Sequence, residues 1–378
     1  MTSATITNAP GRVNLLGEHT DYTGGLVLPM AIPFATKATV TPAAEGYVFA
    51  STAFPGQHTS TRDEKATGEW SDYPAGVLHE LWALGIDVPP FQMLLEGNVP
   101  LGAGLSSSAS IEVATAVALL CHANTMLSAP ELALLCQRAE NRFVGSPCGI
   151  MDQFVVTAAT AGHALLLNTR TLTYELLPMN TGELAHCSIV IANSMVRHSV
   201  ATGDYGVRRR ELEEGQAILR ERFPQAEDLG RATIDQLEAV KSELSENVYK
   251  RCKHVITENA RVREAEHAMK SGNAAKLGEL MNGSHYSQRD DFEDSVPEID
   301  FLAATAITLP GCYGARLTGG GFGGCTVSLV ASDKVPAFTE ALAAAYKAKF
   351  NIDTEIYITT PAAGALAQLE STQPEQAQ

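Results

Sequence analysis

The sequence predicts an α+β protein of two domains. Its 378 residues correspond to about two domains at roughly 150 residues each. The first half is rich in glycine, proline and short apolar runs that are typical of strands, whereas the residues after about position 184 are charged and have helical periodicity. This change in character predicts a domain boundary near residues 180–186, with domains at 1–183 and 184–365.

Local patterns predict the individual strands and helices. Runs rich in β-branched, aromatic and other apolar residues predict strands at Thr36–Thr41, Tyr47–Thr52, Phe91–Glu96, Ala164–Asn168, Cys187–Asn193, Cys312–Leu317, Cys325–Val330 and Thr354–Thr359. Helices are predicted at Ile111–Asn124, Glu131–Phe143, Tyr205–Phe223, Ile234–Leu244, Val248–Lys270, Ala274–Met281 and Pro336–Phe350. Ser128 and Glu131 form a capping-box pattern before the second of these helices. The polar residues 366–378 are expected to form a frayed tail.

Composition and charge exclude several classes of protein. The 43 acidic and 27 basic residues give a net charge of −16, which argues against binding to nucleic acids or to anionic membranes. No apolar run approaches the roughly 18 residues of a membrane span, and residues 1–10 lack the pattern of a secretory signal. The seven cysteines are irregularly spaced, which indicates free thiols in a reducing compartment. We therefore expect a cytoplasmic protein that binds small molecules; a monomer is expected, and an oligomer stays open.

The segment Pro100–Ser110 combines glycines and serines directly before a predicted helix. Gly102 and Gly104 would let the backbone approach an anion, and the amides at a helix N-terminus favour phosphate. Three successive hydroxyls could contact phosphate oxygens or a magnesium ion, those of Ser106, Ser107 and Ser108. The alternative is a glycine-rich turn with a serine cap.

A second glycine-rich segment, Gly314–Gly324, lies between two predicted strands, and five of its last six residues are glycine. So much glycine costs backbone entropy and exceeds what a hairpin turn needs. This backbone is therefore expected to lie close to a ligand or to the first glycine-rich segment. The alternative is a flexible hairpin loop.

Polar residues are concentrated between positions 11 and 22, beside apolar neighbours. They are Arg12, Asn14, Glu18, His19 and Asp21. Such a group suits the hydroxyls of a sugar, because buried polar groups reject a ligand that leaves them unpaired. The alternatives are a solvated surface loop and a metal site at Glu18 and His19.

Two carboxylates further along the chain are candidate functional residues. Glu140 interrupts the apolar pattern of its predicted helix, and the alternative is a solvated helix face. Asp152 follows a turn that contains Pro147 and Gly149. Asp152 could be a general base or an electrostatic partner of Arg12, and the alternative is a helix cap.

Four segments together resemble the galactokinase family of the GHMP kinase superfamily. They are Arg12–Tyr22, Pro100–Ser110, Asn141–Phe154 and Thr318–Cys325, which occur in the order of the family's motifs. The first is similar to the galactokinase signature and the second to the superfamily's phosphate loop. The resemblance implies an N-terminal domain like domain 2 of ribosomal protein S5, a ferredoxin-like C-terminal domain and a site in the cleft between them.

The resemblance also implies an activity and roles for individual residues. The activity is ATP-dependent phosphorylation of the C1 hydroxyl of α-D-galactose, the first step of galactose metabolism, with Mg²⁺. Arg12 and Asp152 would be the catalytic pair. The residues that would bind galactose are Glu18, His19, Asp21, Gly149 and Tyr205. Those that would bind ATP are Trp70, against adenine, and Gly102, Gly104, Ser106, Ser107 and Ser108, at the phosphates. The magnesium ligands would be Ser108 and Glu140.

Two other functions stay open from the sequence. One is a kinase for a related sugar, such as N-acetylgalactosamine, arabinose or galacturonate, because the size of the sugar pocket depends on loops that the sequence does not place. The other is a galactose sensor without catalysis, against which the intact serines 106–108 argue, together with Arg12 and Asp152. It also stays open whether Asp152 is a true base or the acceptor of a late proton.

Overall fold

The computed structural model describes residues 4–197 and 201–372, which contain one sheet of seven strands and one of four. The strands are β1 Thr5–Leu16, β2 Leu26–Pro42, β3 Tyr47–Ser51, β4 Gln57–Thr59, β5 Phe91–Gly97, β6 His163–Asn168, β7 Thr173–Pro178, β8 Cys187–Arg197, β9 Cys312–Thr318, β10 Gly323–Ala331 and β11 Glu355–Thr359. The α-helices are α1 Asp72–Ala83, α2 Ser107–His122, α3 Ala129–Arg138, α4 Met151–Ala158, α5 Ala201–Arg222, α6 Ile234–Ala239, α7 Glu246–Lys270, α8 Ala274–Ser287, α9 Pro297–Ala306, α10 Val335–Phe350 and α11 Ala365–Thr372. The predicted α+β class is confirmed.

The larger sheet carries the strand that leads into the candidate site. Its order is β4-β3-β5-β2-β6-β7, and β1 pairs with β2 along almost its whole length. The neighbours are antiparallel except for β3 and β5. Helix α2 packs on β1 and β2, and α4 also contacts both strands. Leu16, at the end of β1, is buried in the apolar cluster that also contains residues of α7 and α8.

The smaller sheet is antiparallel, with the order β11-β8-β10-β9. Helices α9 and α10 form one apolar cluster with it. A second cluster joins it to α7, α8 and the larger sheet, and includes Val13, Leu28, Met281 and Val327. The predicted boundary at residues 180–186 falls between β7 and β8, and the division into 1–183 and 184–365 stays a prediction. The two halves of the chain share a core across it.

The sequence patterns miss strands β1, β4 and β7 and helices α1, α4 and α9. Strand β1 is buried on both faces near its end, and its polar Arg12 and Asn14 hide the apolar pattern. Helix α1 contains Pro74 and Gly76, which lower helix propensity, although proline is tolerated in a first turn. Strand β2 begins ten residues before the predicted Thr36, because Pro29 and Pro33 interrupt the strand pattern.

Several predicted boundaries are also wrong; α6 ends at Ala239 and not at Leu244, and α8 continues to Ser287 past the predicted Met281. The helix predicted over Glu131–Phe143 is α-helical only to Arg138 and continues as a π-helical turn, Ala139–Val144, although its capping box is present as predicted. The start of the tail that was expected to fray forms α11, because Leu366 and Leu369 pack against the core of the larger sheet. An overall polar composition hides these two apolar contacts.

The cysteines and helices agree with two simpler expectations. All seven cysteines lie in the described ranges and are free thiols, as their irregular spacing predicts. None of the helices in residues 4–197 and 201–372 has the length and apolar character that a bilayer crossing requires.

Helix α7 fastens the chain that follows β1 through the buried Glu258. Its Oε1 accepts hydrogen bonds from the amide of Gly17 at 2.8 Å and from the hydroxyl of Ser284 at 2.6 Å, and its Oε2 lies 2.6 Å from Nε of Arg261. Burial acts to raise the pKa of Glu258, but Arg261 and the other positive neighbours outweigh it and hold the pKa at about 2. Glu258 is therefore a charged anchor between α7, α8 and the β1 turn.

We expect Glu258→Gln to lower the free energy of unfolding by about 3–5 kcal/mol, because it breaks a buried ion pair. Since the pKa of the native carboxyl lies below the ordinary 4.5, the difference between variant and wild type should be full above pH 4.5 and should shrink as the pH falls towards 2. Urea unfolding at several pH values measures both effects. Glu264→Gln, 56% exposed on the same helix, is the control and should cost under about 1 kcal/mol. Equal losses in the two variants would contradict the anchoring role.

Candidate active site

Two glycine-rich loops meet near the end of β1. Gly102 and Gly104 have positive φ angles of 67° and 74°, and the φ angle of Ser106, 62°, is also in the left-handed region. Helix α2 begins at the next residue, Ser107, so the unpaired amides of its first turn directly follow the loop. Gly319, in the β9–β10 hairpin, approaches so closely that a Cβ there would lie 3.0 Å from the carbonyl oxygen of Gly104. Of the two neighbours expected for the second glycine-rich segment, a ligand or the first segment, the structure shows the first segment.

Arg12 and Asp152 form a bidentate pair beside the first loop. Arg12 Nε donates to Asp152 Oδ1 at 2.8 Å, and Nη2 donates to Oδ2 at 2.6 Å. Arg12 Nη1 also donates to the carbonyl oxygen of Gly104 at 2.5 Å, and the hydroxyl of Ser106 donates to Asp152. The arginine side chain is 6% exposed and the aspartate 26%. The carboxylate is therefore oriented by the pair and is its accessible member.

A polar cavity of about 450 Å³ opens beside Asp152, and Asp21 and Gly149 are in its wall. A Cβ on Gly149 would lie 1.8 Å from Oδ2 of Asp21, so only glycine admits this carboxylate. The amide of Met151 donates to the same Oδ2 at 3.2 Å. Burial and the charge of Asp152 raise the pKa of Asp21 to about 6. The cavity thus presents two neighbouring carboxylates to a ligand.

Glu18 and His19 also line the polar cavity, but protein partners hold both side chains. Glu18 Oε1 accepts a hydrogen bond from the amide of Gly319 at 2.9 Å. His19 Nδ1 lies 2.9 Å from the hydroxyl of Tyr22, and Nε2 lies 2.8 Å from Oδ2 of Asp294. Both residues are where the sequence predicts a sugar site, and the structure adds that each is oriented from within the protein.

Glu140 lies in an acidic cluster with the buried Glu112 and the partly exposed Asp152. The side-chain amide of Gln153 donates to Glu140 at 2.7 Å and to Glu112 at 3.1 Å, and Ser108 also bonds to Glu140. Burial and the charge of Asp152 raise the pKa of Glu140 to about 7, and burial raises the pKa of Glu112 well above its usual range. A divalent cation would offset this crowding of negative charge. Oxygen donors and raised carboxyl pKa values therefore fit a magnesium ion at Ser108 and Glu140.

A second cavity, of about 440 Å³ and lined mainly by apolar residues, borders the same loop at Leu101 and Ser107. Trp70 and Phe54 line it with nearly parallel rings, 5.9 Å apart between centroids. Ile111, one turn into α2, is also in its wall. A flat aromatic base here would lie next to the helix N-terminus, where phosphates are favoured.

Tyr205 cannot be placed in either cavity, because its side chain lies outside the described residues, although its backbone is in α5. Sequence reasoning misses five buried polar residues that hold the site. They are Glu112, Gln153, Glu258, Asp294 and Arg316. They lie in helices, a strand and a loop, and no local pattern distinguishes them from solvated polar residues.

Family models match three parts of the chain. The galactokinase galactose-binding signature matches residues 2–42, the GHMP kinases N terminal domain matches residues 72–162, and the GHMP kinases C terminal model matches residues 265–348. A galactokinase of Roseiflexus sp. is 40% identical over 98% of this chain and 95% of its own length. The galactokinase of Homo sapiens is 42% identical over 87% of this chain and 84% of its own.

Solved structures show the same fold. A Lactococcus lactis galactokinase complexed with galactose has a TM-score of 0.92 at 34% identity and covers 96% of this chain and 95% of that chain. A mevalonate kinase, at 18% identity and a TM-score of 0.66, shares the fold alone. The two-domain GHMP kinase architecture implied by the motifs is thereby confirmed. With relatives of this identity along nearly its whole length, the chain belongs to the galactokinase family of the GHMP kinase superfamily.

Proposed function

We propose that this chain transfers the γ-phosphoryl group of ATP to the C1 hydroxyl of α-D-galactose, forming galactose 1-phosphate and ADP. The bidentate pair of Arg12 with Asp152 carries this proposal, because its accessible carboxylate faces the polar cavity while Ser106 ties it to the phosphate loop. The galactose-binding signature matched at residues 2–42 covers Glu18 and Asp21 in the same wall. The Lactococcus lactis relative is a complex with galactose.

Phosphoryl transfer depends mainly on positioning and on stabilisation of charge. Both oxygens of Asp152 are held by Arg12 and Ser106, so the carboxylate is oriented before a sugar arrives. Asp152 would accept a hydrogen bond from the C1 hydroxyl. Since the pKa of a sugar hydroxyl lies far above that of a carboxyl group, the proton would pass to Asp152 late, as the new oxygen–phosphorus bond forms. Arg12 would offset negative charge on the transferring group.

The remaining wall of the polar cavity would select the sugar. Glu18 and Asp21 would accept hydrogen bonds from its hydroxyls, and Gly149 makes room for Asp21. A sugar with a missing or misplaced hydroxyl would leave part of the hydrogen-bonding capacity of these two carboxylates unused. His19 and the hydroxyl of Tyr22 that it contacts would form one edge of the sugar site. We assign a further contact with the sugar to Tyr205.

ATP would lie across the second cavity and the phosphate loop. Adenine would pack against Trp70, and the phosphates would meet the amides and hydroxyls of Gly102, Gly104, Ser106, Ser107 and Ser108. Ser108 and Glu140 would hold Mg²⁺, which when bound would neutralise charge on the β- and γ-phosphate oxygens. Since one chain supplies both cavities, we propose a monomer as the active unit. The free cysteines support our proposal of a cytoplasmic enzyme.

We expect Asp152→Asn to lower kcat with galactose by about 10²–10⁴-fold, because the amide cannot accept the proton. The KM for ATP should change little. ADP release with Mg-ATP should be measured for both proteins with galactose, N-acetylgalactosamine, arabinose and galacturonate. Release from another sugar alone would contradict the proposed substrate. No release, despite stabilisation of the fold by galactose and ATP, would instead indicate a sensor.

Gly149→Ala should raise the KM for galactose by about tenfold or more, because the new Cβ would displace the carboxylate of Asp21. The KM for ATP should stay near the wild-type value. Gly283→Ala, in helix α8, is the matched control. Its new Cβ would lie 3.6 Å from the side chain of Arg261, which is an ordinary contact distance. An unchanged galactose KM in Gly149→Ala would remove Asp21 from the sugar site.

Glu140→Gln should raise the Mg²⁺ concentration for half-maximal activity by about tenfold, because a neutral amide is a weaker ligand. The measurement is a magnesium titration at fixed, saturating galactose. Glu96→Gln, a half-exposed surface carboxylate paired with Lys37, should leave the titration unchanged. Identical titrations of Glu140→Gln and wild type would exclude Glu140 as a ligand.

A further inference from the structure

Asp294 is a buried carboxylate next to the polar cavity, and the proposed mechanism does not use it. Its side chain is 0% exposed. Oδ2 lies 2.8 Å from Nε2 of His19 and 3.3 Å from the side-chain amide of Gln288, whereas Oδ1 has no hydrogen-bond partner in the described part of the chain. A buried carboxylate with an unpartnered oxygen costs stability. A contribution to folding therefore does not explain this carboxylate, and a functional role does.

The ring of His19 is held on three sides. Nε2 faces Asp294, Nδ1 faces the hydroxyl of Tyr22 at 2.9 Å, and the ring stacks on Phe292 with 4.0 Å between centroids. A carboxylate accepts hydrogen bonds, so this contact favours the tautomer of His19 in which Nε2 is the donor. The contact disfavours the tautomer that is protonated on Nδ1 alone, and in the favoured tautomer Nδ1 accepts a hydrogen bond from the hydroxyl of Tyr22.

The backbone of Asp294 also holds the second glycine-rich loop. Its carbonyl oxygen accepts a hydrogen bond from the amide of Phe322 at 2.6 Å. A Cβ on Gly321 would lie 2.6 Å from the same oxygen, so this approach requires glycine at a φ of 81°. The amide of Gly319, in the same loop, holds Glu18. Asp294 therefore contacts two parts of the cavity wall. Its backbone holds the loop that orients Glu18, and its side chain holds His19.

We propose that Asp294 is a positioning residue for galactose, which it serves by keeping a proton on Nε2 of His19 and so setting the His19–Tyr22 edge of the sugar cavity. The inference rests on the proposed function of that cavity. A purely structural role predicts a loss of stability that affects both substrates. A positioning role predicts weaker binding of galactose with stability and ATP binding retained.

The test is Asp294→Asn, which keeps the size of the side chain but lets an amide donate to Nε2, so that the other tautomer becomes available. We expect the Kd and KM for galactose to rise about tenfold, the effect of one misaligned hydrogen bond. The kcat, the KM for ATP and the melting temperature should stay near wild-type values. Nitrogen-15 NMR should show a protonated Nε2 of His19 in the wild type and loss of that state in the variant. Asp290→Asn, 57% exposed nearby, is the matched control and should match the wild type.

Tyr22→Phe gives a second measurement that leaves the buried carboxylate in place. It should weaken galactose binding by a similar factor, and the double variant should lose less than the sum of the two effects. If Asp294→Asn does not fold, the proposal is tested by galactose binding to Tyr22→Phe and by the nitrogen-15 signal of Nε2 of His19 in the wild type. An unprotonated Nε2, an unchanged galactose Kd in either variant, or equal losses for galactose and ATP would overturn the proposal. A wild type without galactose kinase activity would instead refute the proposed function, and calorimetry would still report galactose binding.

Discussion

The pairing of Arg12 with Asp152 is the constraint on which the site depends. The two residues are 140 positions apart, and each nitrogen that Arg12 uses is committed to a fixed acceptor on Asp152 or Gly104. A bidentate pair tolerates only small displacements. The end of β1, the start of α4 and the phosphate loop must therefore hold one arrangement together. This arrangement also sets the positions of the polar and apolar cavities relative to the phosphate loop.

Charge is distributed unevenly around that pair. Glu112, Glu140 and Asp21 all have raised pKa values, with burial as the first cause, and Glu140 and Asp21 both feel the charge of Asp152. The structure holds this crowding because Glu112 and Glu140 lie on elements that also build the large apolar core between the larger sheet and helices α2, α3 and α4. Stability from that core offsets a site whose own carboxylates repel one another. Binding of a cation and of sugar hydroxyls would relieve the same repulsion, so the strain favours the ligands that we propose.

The sequence predicts those parts of the fold and site whose cause is local. Helix α10 and strands β8 to β10 have regular patterns, and the structure places them within a few residues of the prediction. The motifs in the sequence predict the two glycine-rich loops and indicate the family. Strand β1 was hidden because Arg12 and Asn14 are polar residues in a buried strand, and the π-helical turn at Glu140 has no local signal. Both exceptions occur at the site, where function overrides local preference.

The residues that orient the sugar wall come from the second half of the chain, although the wall itself comes from the first. Burial lowers the pKa of His254 to about 4, so its neutral ring can accept from Ser287 and donate from Nε2 to the carbonyl oxygen of Glu18 at 3.2 Å. Glu258 holds the amide of Gly17 in the same turn. A motif of eleven residues therefore names the groups that meet a ligand but does not fix their directions. Because α7 and α8 supply those directions, two chains with the same motif can differ in sugar selectivity through buried residues that no ligand touches.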